Sequence, residues 1–234
     1  MRILLVCLAL LPPILILIDF YKRDKYKPEP KRLIILLFII SGLTVFPAAE
    51  IEKTVNYELH SFLEPNFCLN NLFHSFIYSA SVEEIIKFTL VWIIAFRSRY
   101  FDELVDGIIY AVTAGLGFAA VENIYYCLNS GIYIACIRAF TAVPLHCAAS
   151  GLMGYFIGKA KFTTPRISKL YFLYGLTIAV LIHGTYNYLL FSIDYLEMYS
   201  VIGVILLLIF AFSILSRCIR QLLADDVANE RHYI

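Results

Sequence analysis

Four short patterns in this chain set ionisable side chains where a hydrolase needs them: Glu83-Glu84-Ile-Ile-Lys87, Phe118-Ala-Ala-Val-Glu122-Asn123, Arg138 followed by His146, and His183-Gly-Thr-Tyr-Asn187. Glu83–Lys87, Phe118–Glu122 and His183–Asn187 are i,i+4 pairs, so on a helix each pair shares one face. Carboxylates, imidazoles and a carboxamide around a water-reachable cavity suit the hydrolysis of a peptide or ester bond. One carboxylate acts as general base on water, while His, Asn or Arg donors stabilise the oxyanion and protonate the leaving group. Glu83, Glu84, Glu122, His146 and His183 are the catalytic candidates, with Lys87, Asn123, Arg138 and Asn187 in support. Glu83 and Glu84 diverge by about 100° on a helix, so either one could face the cavity. Glu122, His146 and His183 would also make a three-ligand site for a divalent metal such as zinc, with an open water position and Glu84 as base. No HExxH motif is present, and Lys87 and Arg138 oppose a dication. A glutamate mechanism without a cofactor and a zinc-type site therefore both stay open.

The segments carrying these residues are apolar. Of 234 residues, 61% are hydrophobic and 16% charged, against about 45–50% and 25% in soluble domains. The net charge of +1 supplies no basic surface for nucleic acid. Apolar runs at 1–20, 33–49, 69–96, 105–128, 132–158, 170–192 and 199–216 predict an all-α bundle of about seven transmembrane helices, one membrane domain over 1–234. The first run lacks a small-residue cleavage site and reads as a retained span rather than a removed signal peptide. Fifteen of the 19 basic side chains fall in 21–32, 97–104, 159–169 and 217–234. Those segments are thereby assigned to the cytoplasmic side, which puts the N-terminus outside and the C-terminus in the cytoplasm.

The run 69–96 is about 42 Å long at 1.5 Å per residue, too long for one upright span. Ser81 with Glu84 has the form of a capping box, which predicts a break there, with a short embedded segment before it and a helix starting at the glutamates. Pro144 predicts a second break, beside His146. The segment 50–65, with four glutamates, reads as an outer loop. An ionisable group inside a bilayer costs several kcal/mol, on the order of 2.5–3.5 on insertion scales. Counted from the cytoplasmic ends, Glu84, Glu122, His146, His183 and Asn187 lie about 18–26 Å up in a core roughly 30 Å thick. One shared level in the outer half of the membrane is the expectation. His60 and His232 fall to loops or the tail, and His74 lies nearer the outer surface. Gly115-Leu-Gly117 and Gly151-Leu-Met-Gly154 read as packing faces. The six cysteines show no close pair.

A secondary transporter or proton-coupled permease could use the same charges as an ion relay, but no inverted repeat is visible and the charges form one layer. A non-catalytic scaffold has less reason to keep six ionisable groups in one plane. The four motifs, in this order on spans three to six, resemble the PrsW family of intramembrane proteases and, more distantly, the CAAX-protease and bacteriocin-processing superfamily. The resemblance covers about residues 75–190, the expected catalytic core. Glu122 stands where the wider superfamily often has His, which favours PrsW over prenyl-protein processing. The resemblance implies an integral protein of a bacterial plasma membrane. Its implied activity is cleavage of a single-span, membrane-anchored substrate, such as an anti-sigma factor, near the extracytoplasmic leaflet.

Overall fold

Within lipid the backbone must satisfy its own hydrogen bonds, and the helix does so inside one segment. The computed structural model, which describes residues 2–23, 27–63 and 67–231, is helical with no strand among the described residues. The helices are α1 (Arg2–Arg23), α2 (Lys31–Leu43), α3 (Val45–Leu63), α4 (Phe67–Phe73), α5 (Ser81–Leu90), α6 (Asp106–Phe140), α7 (Ala142–Lys161), α8 (Pro165–Phe191), the single turn α9 (Ile193–Leu196) and α10 (Met198–Arg231). Five stretches are long and apolar enough to cross a membrane: Ile3–Arg23, Lys31–Glu58, Asp106–Lys161, Pro165–Phe191 and Met198–Ala228. The third of them contains both α6 and α7. His232 lies outside the described residues.

At the centre stands α6, buried almost all round from Asp106 to Ala120 and packed on α7, α1 and α2. A helix apolar on every side belongs inside a bundle. Next to it, α7 also touches α8 and α10. The peripheral helices turn large apolar residues outward, among them Ile202, Ile205, Leu206, Ile209 and Phe210 of α10, as lipid allows. Small residues let α6 and α7 approach closely: a Cβ on Gly154 would collide with the Gly107 carbonyl, and one on Gly115 with the Ser150 hydroxyl.

Three expectations change. Residues 69–96 form no helix start at Ser81. The backbone stays helical from α4 through a π-type stretch (His74–Ala80), α5 and a second π-type stretch (Val91–Phe96). Ser81 Oγ donates to the Phe76 carbonyl at 2.6 Å, and Glu84 turns to other partners, so no capping box forms. The wider turns absorb the excess length without a break, as π-bulges do at functional sites. Pro144 likewise breaks nothing. It is the third residue of α7, where no intrahelical N–H is required, and the chain turns instead at Gly131 (φ 85°) and Thr141 (φ −122°, ψ −69°). At Gly131 the left-handed backbone suits a residue without Cβ. Finally, most of 50–65 is helix rather than loop: α3 continues from α2 past Thr44 and turns Val45, Ala48, Glu52 and Val55 inward at 3–4-residue spacing.

Candidate active site

Side chains from α5, α6, α7 and α8 meet in one buried network. Lys87, wholly buried, is its hub: Nζ donates to Glu83 Oε2 at 2.9 Å and Glu84 Oε1 at 2.8 Å, and lies 2.9 Å from His146 Nδ1. Its ammonium also sits 4.3 Å above the Phe118 ring, a favourable cation–π placement. An ammonium has only donors, so His146 Nδ1 accepts and Nε2 carries the proton. That Nε2–H faces Glu122 Oε2 at 3.0 Å. Glu122 in turn pairs with Arg138 Nη2 at 2.9 Å, and the guanidinium lies 4.0 Å from the Tyr126 ring centre. On the other side, Glu84 Oε1 accepts from His183 Nδ1 at 2.8 Å, which leaves His183 Nε2 as the open nitrogen. It points towards Glu83 Oε1 at 4.0 Å, with no direct hydrogen bond between them. Asn187 Nδ2 donates to Ser79 Oγ at 3.0 Å, and that hydroxyl donates to Glu83 Oε1 at 3.4 Å.

These contacts form one continuous line: Arg138, Glu122, His146, Lys87, Glu84, His183 and, across the 4.0 Å gap, Glu83. From Arg138 to Glu84 the charges along the line alternate in sign, with His146 between Glu122 and Lys87. A buried charge needs such partners to offset its desolvation. Glu83 and Glu84 part company here. Glu83 lines a cavity of about 160 Å³ together with Glu52, His74, Ser79, Glu122, Tyr126, Arg138, His146, His183, Tyr186 and Asn187, whereas Glu84 is fully buried behind it. Arg138 has charge-pair distance to Glu122, but neither its Nε nor its Nη2 makes an aligned hydrogen bond. The Nε–H is therefore a buried donor without a partner at the cavity.

Of the residues singled out from sequence, only Asn123 points elsewhere: its Nδ2 donates to the Ala9 carbonyl at 3.1 Å and ties α6 to α1. One position beyond Glu122 means about 100° around the helix, enough to face a different neighbour. Two residues set aside or passed over in the sequence belong to the cavity, His74 and Glu52. His74 stacks edge-on against Phe191 at 4.9 Å, and its Nδ1 has no hydrogen-bond partner. Glu52 could have been found from the inward stripe Val45, Ala48, Glu52, Val55, where an acid replaces an apolar residue.

The expected metal triad also changes. Glu122 is held by Arg138 and His146 Nε2, and the residues whose ligating atoms come within 4.8 Å of one another are Glu83, Glu84, His146 and His183, all buried. Two carboxylates and two imidazoles are a zinc-type donor set, and Glu84 Oε2 is a buried oxygen without a hydrogen bond. The set fits a divalent cation. Lys87 already places a positive charge against three of the four residues, so an ion and the ammonium compete for the same oxygens and nitrogen.

Residues 29–215 match the family described as PrsW family intramembrane metalloprotease. The Protease PrsW of Bacillus subtilis (strain 168) is 31% identical over 183 residues, 78% of this chain and 81% of that protein. The Protease PrsW of Oceanobacillus iheyensis is 35% identical over 184 residues, 76% and 79% of the two chains, and that of Clostridioides difficile (strain 630) is 28% identical over 199 residues, 81% and 80%. No solved structure matches the chain.

Proposed function

This chain belongs to the PrsW family of intramembrane metalloproteases, integral proteins of bacterial membranes, and on that premise we propose that it cleaves a single-span membrane protein, such as an anti-sigma factor, near the extracytoplasmic leaflet, with Glu83 as general base. The observation that carries this reading is the pairing of Glu83 Oε1 with the open His183 Nε2 across 4.0 Å at the wall of a buried cavity. A water about 2.8 Å from each atom would bridge them. Glu83 takes a proton from that water as its oxygen bonds to the scissile carbonyl carbon. The carbonyl oxygen, gaining negative charge, meets the unpartnered Nε–H donor of Arg138. Glu83 or His183 then returns the proton to the departing nitrogen as the C–N bond breaks.

The remaining residues hold these groups in place. Glu84 fixes the His183 tautomer, Lys87 balances both carboxylates, and Asn187 through Ser79 orients the Glu83 head. Of the four converging residues, Glu84, His146 and His183 would hold a divalent cation and leave Glu83 free as the base. When bound, such an ion supplies Lewis acidity to the carbonyl and the attacking water.

The test is cleavage of a panel of single-span substrates by the protein in proteoliposomes. Glu83→Gln should lower kcat by about 10²–10⁴-fold, and His183→Ala should also abolish turnover, with both variants still folded. Undiminished cleavage by either variant, or no cleavage by the wild type, would refute the assignment.

A further inference from the structure

A second, smaller cavity of about 110 Å³ adjoins the first, with Val45, Ala48 and Ala49 on one side and Phe118 and Tyr125 on the other. Glu52, Glu83, Glu122 and Tyr126 line both cavities, so they form the wall shared between them. At about 30 Å³ per water in the liquid, the side cavity has the volume of a few waters or of one long side chain. Aliphatic α3 residues make one of its walls and aromatic α6 residues the other, with carboxylates where it meets the reaction cavity.

Those carboxylates are not equivalent. Glu83 is paired with Lys87, and Glu122 with Arg138 and His146. Glu52 makes no hydrogen bond and no ion pair among the described residues, although it lies on the inward stripe of α3. Two cationic groups, Lys87 and Arg138, face four carboxylates in and beside the cavities: Glu52, Glu83, Glu84 and Glu122. A half-buried carboxylate without a partner, in a cavity walled by aliphatic α3 residues and aromatic α6 residues, is complementary to a cation on an aliphatic stem.

We propose that this side cavity is a specificity pocket that takes a Lys or Arg side chain flanking the scissile bond, with Glu52 as the carboxylate that receives its charge. The stem of such a side chain lies along Val45, Ala48 and Phe118, and its head meets Glu52 beside Tyr125 and Tyr126. The backbone next to it is thereby delivered to Glu83, which belongs to both cavities. This assignment rests on the proteolytic reading of the same site.

The experiment uses single-span substrates identical except for Lys, Arg, Gln or Glu at the positions flanking the cleavage point, with kcat/KM measured in proteoliposomes. The wild type should favour Lys or Arg over Gln by roughly tenfold or more, the scale of a specific charged contact. In Glu52→Gln that ratio should fall to about one, and in Glu52→Lys the preference should pass to the Glu substrate. Ala49→Phe, a change at an exposed α3 position that fills the pocket, should reduce the preference for long basic side chains without removing the carboxylate. A wild type that cleaves all four substrates equally, or a Glu52→Gln variant that keeps the basic preference, overturns the pocket and leaves the protease standing. A wild type that cleaves none of them overturns both.

Discussion

Glu83 and Glu84 are adjacent in sequence and do different work. Glu84, wholly buried, is saturated on one oxygen by Lys87 and His183, whereas Glu83 presents an oxygen to open space. Arg138 has a similar double character, since Nη2 pairs with Glu122 while its Nε–H has no hydrogen-bond partner. Those two properties separate in Arg138→Lys. The ammonium keeps the charge opposite Glu122 but loses the planar fork of donors. Thermal stability should remain near wild type, while kcat falls by about 10²-fold at little-changed KM, the signature of an interaction made only in the transition state. A proportional loss of stability and activity in that variant would instead make Arg138 a structural counter-ion. The identities of these residues were legible in the sequence because a charge inside an apolar run is costly, and cost points to use. Their partners were not legible, since rotamers decide whether Glu122 reaches a metal position or an arginine, and one step along the helix turned Asn123 towards α1.

The site depends on how closely helices approach. At Gly115 an added Cβ would press on the Ser150 side chain and lie 2.8 Å from the His146 carbonyl oxygen, so α7 must move away from α6 to admit it. Because His146 on α7 bonds Glu122 on α6, that displacement acts directly on the network. Gly115→Ala should cost about 1–3 kcal/mol in stability and lower activity tenfold or more, since small misplacements of catalytic groups are expensive. Gly203→Ala is the control. There the added Cβ meets only the flexible end of Leu189 at 3.1 Å, and turnover should stay within about twofold of wild type. Helix periodicity in the sequence located these elements well. It failed where polar composition suggested a loop, as at α3, whose inward stripe is short and contains Glu52. It failed again at Ser81, where a capping pattern lay inside a helix that simply continues; the Ser-x-x-Glu spacing fits both situations, and only the preceding backbone (Ala80 φ −57°, ψ −42°) decides between them.

Across the whole molecule, an extensive apolar core around α6 and α7 packs the helices independently of any ion, and this governs what metal removal should do. Lys87 already joins Glu83, Glu84 and His146, so the helices stay connected without an ion. Chelation of the purified protein should abolish cleavage, and added zinc should restore it. The unfolding midpoint should shift by only a few degrees, unlike small zinc domains that unfold without metal. Full activity under exhaustive chelation would assign the chemistry to Glu83 alone, and collapse of the fold would make the ion a structural element. The ionic line also constrains which sequences can exist. Arg138→Leu alone leaves Glu122 buried with only the neutral His146 as partner and should destabilise by about 3–5 kcal/mol, whereas the double change Glu122→Leu with Arg138→Leu should regain much of that loss, as a double-mutant cycle on expression and melting would measure. If the cycle closes with no coupling, the two residues are independent. Strong coupling would mean that these helices are trapped by epistasis: random drift could not cross from one viable charge arrangement to another by single steps, and descendants would inherit the set nearly intact or replace it in concert.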